Sequence, residues 1–148
     1  MKKSQDPSFK ALIMDHYKKP RFFGKPEPVI FSAEEHNRTC GDHVELFLTE
    51  GAVPARRRFQ FTGAGCSLCI ASSSLMSSLL QDVSLEEAEH CLGQFQKVAR
   101  DGVNAEEMAE WQIFDGLRDY PVRARCVRLP WQALEKILGA WAEAGDKA

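Results

Sequence analysis

The sequence predicts an α+β fold, a small three-stranded antiparallel sheet with helices packed on one face, in a single domain spanning residues 1–148. Three observations lead there. Apolar residues alternate with a period of two across three successive runs before Gly63. The links between those runs are short, as in an antiparallel meander. After Gly65 the apolar spacing changes to that of a helix and stays so.

The first helix is read over SFKALIMDHYKK, where Phe9, Leu12, Ile13 and Tyr17 recur on one face and Pro20 ends the run. RFFGKPEP is a connector, broken by Gly24, Pro26 and Pro28. VIFSAEEH is the first strand, with Val29, Phe31 and Ala33 on one face. HVELFLTE alternates more clearly: Val44, Leu46 and Leu48 on one side, His43, Glu45, Phe47 and Thr49 on the other. Glu50-Gly51-Ala52 is a turn, and RRFQFTG places Phe59 and Phe61 at strand spacing. Gly63 and Gly65 bend the chain out of this strand and into the helix CSLCIASSSLMSSLL. Ser84 with Glu87 is a capping box that opens the next helix, and Asn104 with Glu107 repeats the signal. WQIFDGLR is helical by spacing until Pro121, which is well placed at a helix start. The last helix runs through Ala133, Leu134, Ile137, Leu138 and Trp141.

The chain has 148 residues, of which 44% are hydrophobic and 27% charged, the composition of a soluble globular protein. A net charge of −2 argues against a dedicated nucleic-acid binder. No run is apolar enough to span a bilayer, and no apolar segment of signal-peptide length follows MKKSQDPSFK. The expectation is a cytoplasmic protein with neither a nucleic-acid nor a membrane partner. Arg56, Arg57 and Arg58 form the one basic cluster, read as a solvated strand edge or, alternatively, a docking patch for an acidic partner. In a reducing compartment, five widely spaced cysteines do not suggest a disulfide framework, which turns attention to metal binding or thiol chemistry.

Three cysteine neighbourhoods stand out. Cys40 lies in the loop HNRTCGDHV, followed by Gly41 and Asp42. A thiolate and a carboxylate in one tight loop suit zinc or iron, although Asn, Gly and Asp are also ordinary turn residues. Cys66 opens a helix, where free N–H groups and partial positive charge favour a thiolate. Cys69 forms a C-x-x-C spacing with it, but at about 100° per residue Cys69 falls between Met76 and Leu80 on the apolar arc. Cys69 therefore reads as a core residue and Cys66 as the reactive one. The small residues from Ala71 to Ser74 allow close helix packing. Cys126, in YPVRARCVRLPW, is flanked by Arg123, Arg125 and Arg128, which would lower its thiol pKa and attract anions. Cys91 reads as structural. His16 and His90 lie in helices, and His36 and His43 flank the Cys40 loop, where His43 could support a metal ligand.

In this order, YKKPRFFG, N-R-T-C-G-D, G-A-G-C-S-L-C-I-A-S-S-S and R-A-R-C-V-R-L-P-W resemble the IscU/NifU-like family of iron–sulfur cluster assembly proteins, from roughly Tyr17 into the last helix. The details are most similar to its SufU-type branch. Arg125 stands where scaffold-type members have a histidine, and Leu129-Pro130-Trp131 stands where they carry a segment with two prolines. The interval between Cys66 and Cys126, which includes DGVNAEE, is long, as in SufU-like proteins.

The resemblance implies a SufE/IscU-like α+β fold and a metal site of Cys40, Asp42, Cys66 and Cys126. It implies zinc as the cofactor, with iron or a [2Fe-2S] cluster as the alternative cargo. A SufS-like cysteine desulfurase would be the partner, Cys40 the sulfur acceptor in a zinc-dependent sulfurtransferase reaction, and iron–sulfur assembly proteins would act downstream. The alternative within the family is a scaffold on which a [2Fe-2S] cluster is built and handed on. Two departures are plain: Arg38 replaces a usual proline, which predicts a more mobile Cys40 loop, and Cys69 replaces a usual serine. Outside the family, a C-x-x-C oxidoreductase would need a thioredoxin-like βαβ context that the pattern lacks. A zinc-stabilised interaction domain without sulfur chemistry is the other alternative.

Overall fold

A computed structural model describes residues 7–101, 114 and 121–145. The element order among them is α1 (Pro7–Lys18), β1 (Phe31–Asn37), β2 (Asp42–Glu50), β3 (Arg57–Ala64), α2 (Ser67–Leu79), α3 (Leu85–Asp101) and α4 (Pro121–Ala144). The second capping signal at Asn104, the DGVNAEE connector and, apart from Phe114, WQIFDGLR lie outside the described residues.

The strands form one antiparallel sheet in the order β1-β2-β3. Alternation decides which side of the sheet is covered. Val44, Leu46 and Leu48 are fully buried, and the register sets Leu46 and Leu48 beside Phe61 and Phe59, also fully buried. Helices α2 and α4 pack on the sheet, α1 rests against α2, and α3 against α4. The predicted α+β arrangement is therefore the observed one. The second face of β2 is less open than its pattern suggests. Phe47 is 1% exposed, and the Thr49 hydroxyl donates to the Pro28 carbonyl at 2.6 Å. The connector also runs beside the outer edge of β3: the Phe61 N–H donates to the Phe22 carbonyl, and the Gly24 N–H to the Phe61 carbonyl. An edge strand otherwise open to pairing is thereby covered.

Several readings need correction. The inward face of α1 carries His16, 7% exposed, whereas Tyr17 is 41% exposed. His16 enters because its Nδ1 has a hydrogen-bond partner in the Ser74 hydroxyl at 2.7 Å. Gly63 does not bend the chain out of β3; it is a strand residue, and a Cβ there would meet the His43 carbonyl at 2.6 Å. The three arginines are a solvated edge only in part: Arg56 and Arg58 are exposed, Arg57 is not. Arg57 is 4% exposed with its guanidinium 6.0 Å from the Trp141 ring, Arg56 pairs with Glu87 at 2.6 Å, and Arg58 with Asp82 at 3.0 Å. Residues far apart in sequence supply those partners. The Cys126 segment and the last helix are one continuous 24-residue helix with Pro130 inside it.

The helix layer is joined by polar contacts inside an apolar shell. Ser72 donates to the Val127 carbonyl at 2.7 Å and accepts from the Trp131 indole at 3.1 Å, both in α4. The Trp131 ring stacks on Phe95 of α3 at 4.2 Å and meets Phe114 edge-on at 5.6 Å. Ser84 and Glu87 cap α3 reciprocally: the Glu87 N–H donates to the Ser84 hydroxyl at 3.1 Å, and the Ser84 N–H to the Glu87 carboxylate at 3.0 Å. Ser84→Ala is expected to destabilise the fold by about 1 kcal/mol, read as a lower urea midpoint at unchanged slope.

Candidate metal centre

The period of two that buries β2 also aims its first residue. Asp42 shares a face with Val44, Leu46 and Leu48, so its carboxylate points toward the helical side of the sheet and is 2% exposed. There it meets the start of α2. Asp42 Oδ1 accepts from the Cys66 N–H at 3.0 Å, and Oδ2 lies 3.4 Å from the Cys66 sulfur. Cys66 occupies the N-cap position with an extended backbone and no side-chain cap of its own. The carboxylate therefore satisfies one of the orphan donors of α2 from outside the helix.

Cys40 approaches from the β1–β2 hairpin. Gly41 has φ +76, the left-handed conformation that glycine adopts without strain, and its N–H closes the turn on the Asn37 carbonyl at 2.8 Å. Asn37 also caps the loop through its side chain, accepting from the Thr39 N–H at 3.1 Å. Cys126 comes from the first turns of α4, which the Ser72 contacts hold against α2. The Cys40 and Cys126 sulfurs are 3.5 Å apart, and Asn37 Nδ2 reaches the Cys126 sulfur at 3.8 Å.

Donor atoms of Cys40, Asp42 and Cys126 all lie within 4.8 Å of one another. Cys66 is tied to this group through Asp42. Cys40 and Cys66 are exposed, while Cys126 is 6% exposed. The donor chemistry fits zinc: thiolate and carboxylate are its ordinary ligands, and two thiolates on one tetrahedral zinc stand about 3.8 Å apart. Gly65 makes the close approach possible, since a Cβ there would lie 2.6 Å from the Asp42 carboxyl carbon.

The electrostatics follow from burial and hydrogen bonding. Burial pushes the Asp42 carboxyl up, but hydrogen bonds from Cys126, Cys40 and Cys66 outweigh it and hold the group below the usual carboxylate range. Its anion is thus available as a ligand. The Cys126 thiol is pushed well up, first by burial and then by its hydrogen bond to Asp42. This corrects the expectation that flanking arginines lower it: Arg125 and Arg128 are exposed, where water screens them, while the sulfur between them is buried. Cys69 is fully buried, and its thiol is pushed up by burial and by the Asp42 charge. Cys91 is pushed up by burial to about 12. Both match the structural role expected of them. His36 and His43 stack face to face at 5.7 Å, with Glu34 2.9 Å from His36. Asn37 joins the site from the end of β1, and its place three residues before Cys40 is the only sign of this in the sequence.

Comparison with known proteins gives consistent results. Residues 8–127 match the family of NifU-like N terminal domains. The chain is 30% identical over 138 residues to the zinc-dependent sulfurtransferase SufU of Bacillus subtilis, covering 88% of this chain and 89% of that protein. It is 29% identical over 140 residues to the iron–sulfur cluster assembly scaffold protein IscU of Streptococcus pyogenes, covering 92% and 86%. The crystal structure of a putative iron–sulfur cluster assembly scaffold protein for the SUF system from Fervidobacterium islandicum superposes with a TM-score of 0.76 at 28% identity, covering 86% of this chain and 93% of that one.

Two outcomes are expected. Gly65→Ala pushes the Asp42 carboxylate aside and weakens the binding of added zinc about 10- to 100-fold, the range typical when a group supporting a ligand is lost; competition with a chromogenic chelator measures it. In native chelator-treated protein, iodoacetamide labels Cys40 and Cys66, while Cys69 reacts only after denaturation, as peptide mass mapping will show.

Proposed function

This chain belongs to the family of NifU-like N terminal domains, and from that premise we propose that it works in iron–sulfur cluster assembly as a sulfur acceptor served by a cysteine desulfurase. The observation that carries the reading is the gathering of an exposed cysteine, Cys40, with a buried carboxylate and a buried thiol inside 4.8 Å. The SufU relative, a zinc-dependent sulfurtransferase, supports it. Cys40, Asp42, Cys66 and Cys126 would hold zinc. The bound metal would keep the thiols deprotonated and shielded from oxidation until sulfur arrives.

The chain's own residues do the rest. Cys40 sits on a surface hairpin and can reach a thiol held in a partner's active site. Its thiolate attacks the outer sulfur of the desulfurase persulfide. The S–S bond of the donor breaks, the donor cysteine leaves as a thiolate, and the persulfide now resides on Cys40. Asp42 keeps the start of α2 in place while Cys40 reacts. Asn37 closes the hairpin and orients Cys126. The cytoplasm, where desulfurases and reduced thiols coexist, is the compartment this reading requires.

A second reading, a scaffold for a [2Fe-2S] cluster, draws support from the IscU relative and from the same three thiols. Arg125, in place of the histidine of scaffold-type members, weighs against it. Anaerobic reconstitution separates the two: a stable visible chromophore that depends on Cys40, Cys66 and Cys126 favours the scaffold.

The sulfur-acceptor reading is tested by incubating the protein with a cysteine desulfurase and cysteine, then measuring persulfide by intact mass. Wild type is expected to gain one sulfur and Cys40→Ala none. Undiminished loading of Cys40→Ala would sink the assignment. Purified protein is also expected to carry one zinc, lost in each of the three cysteine variants.

A further inference from the structure

A second polar cluster lies on the outer face of the sheet, where the proposed sulfur chemistry does not use it. The period of two that turns Asp42 inward turns His43 outward, and His36 lies directly opposite it on β1. Both rings are exposed, and they stack at 5.7 Å. Two positions further along, on the same face, Glu34 stands opposite Glu45. Like charges directly opposite each other destabilise a strand pair. The neighbouring strand offers no basic residue to relieve them, since Thr62 and Ala64 of β3 lie beside Glu45 and His43. Lys136 pairs instead with Glu35, on the other face, at 2.8 Å.

Glu34 Oε1 already lies 2.9 Å from His36 Nε2. Two ligands at about 2.0–2.1 Å from a tetrahedral ion stand about 3.3 Å apart, so this pair is near the spacing a metal needs. Turning the exposed His43 ring about its own side-chain bonds completes a set of two imidazoles and one carboxylate. That set suits a divalent first-row transition ion, iron(II) included, and leaves coordination positions open. Among the described residues, only the donor atoms of Cys40, Asp42 and Cys126 all lie within 4.8 Å of one another. The outer cluster therefore closes on its ion instead of being preformed, and holds it more loosely than a closed thiolate set would.

We propose that Glu34, His36 and His43 form a second metal site, which binds a divalent first-row transition ion on the outer face of the sheet. It shares no residue with the thiolate centre and does not depend on the sulfur-acceptor reading. Its ligands are nitrogen and oxygen, where those of the other centre are mostly sulfur. Glu45 adds its charge from the facing position. Being exposed and open, the site exchanges its ion with solution, so it empties on purification and refills when metal is supplied. His36 directly precedes Asn37, and His43 directly follows Asp42. The bound ion thus ties β1 to β2 at the base of the hairpin that carries Cys40.

The test uses the full chain as purified, with zinc chloride as the probe. Equilibrium dialysis counts ions per chain, and NMR spectra of the histidine ring protons follow each ring. Wild type is expected to bind one zinc more than His36→Gln or His43→Gln, whatever the thiolate centre holds. His90→Gln, a change at an exposed histidine of α3, should bind as wild type does. In the wild type, the His36 and His43 signals should move together as zinc is added, while those of His90 stay in place. Magnesium chloride should move neither ring, because magnesium prefers oxygen ligands to imidazole. Equal zinc counts in wild type and both histidine variants overturn the proposal. So does a wild-type spectrum in which only one of the two rings responds, or in which His90 or magnesium gives the same response. The wild-type spectrum decides the matter even if a variant folds poorly.

Discussion

The carboxylate of Asp42 is the constraint on which the rest of the site depends. It is almost completely buried, yet it stays ionised because donors surround it: the Cys66 N–H and the neighbouring thiols. An isolated buried charge would cost several kcal/mol, so these contacts are a condition for the residue being there. One side chain therefore fixes three things together: the start of β2, the entry to α2, and the point toward which the cysteine sulfurs converge. Gly65 belongs to the same constraint, since no larger residue fits beside the carboxylate without displacing it.

The distance between Cys40 and Cys126 is set elsewhere, by buried serines on α2. Ser72 links to two positions of α4, the Val127 carbonyl and the Trp131 indole, and so places the turn that carries Cys126. Ser74 does the same for the N-terminal segment, hydrogen-bonding to the His16 ring and accepting from the Arg21 N–H. Short side chains let both neighbours come close, and their hydroxyls supply partners for groups that would otherwise be buried unsatisfied. The candidate metal centre is thus held by a polar network inside the helix layer as well as by the apolar face of the sheet.

This arrangement suits the chemistry proposed for it. A rigid carboxylate and a buried thiol form the back of the site, and an exposed hairpin forms its front. In the proposed function sulfur is received at the front, where a partner has access. The odd sulfur, Cys69, completes α2 as a fully buried core residue.

Much of this was legible in the residues themselves. Alternation marked the three strands, and it also aimed Asp42 inward, since Asp42 continues the series of Val44, Leu46 and Leu48. Helical angle separated Cys66 from Cys69, and the Ser84–Glu87 box marked the start of α3. These are local periodicities, and a period survives in sequence because each residue's direction is set by its immediate neighbours. What only the tertiary structure decided depends on partners distant in the chain. Arg57 is buried against Trp141 although its neighbours suggested a solvated edge, and His16 replaces Tyr17 on the inner face because Ser74 awaits it. The Cys126 thiol is raised where adjacent arginines suggested the opposite, because burial, which no local spacing encodes, outweighs charges that water screens. The 3.5 Å between Cys40 and Cys126 is of the same kind: two residues 86 positions apart, each placed by its own element, brought together by the packing of a hairpin and a helix around one carboxylate.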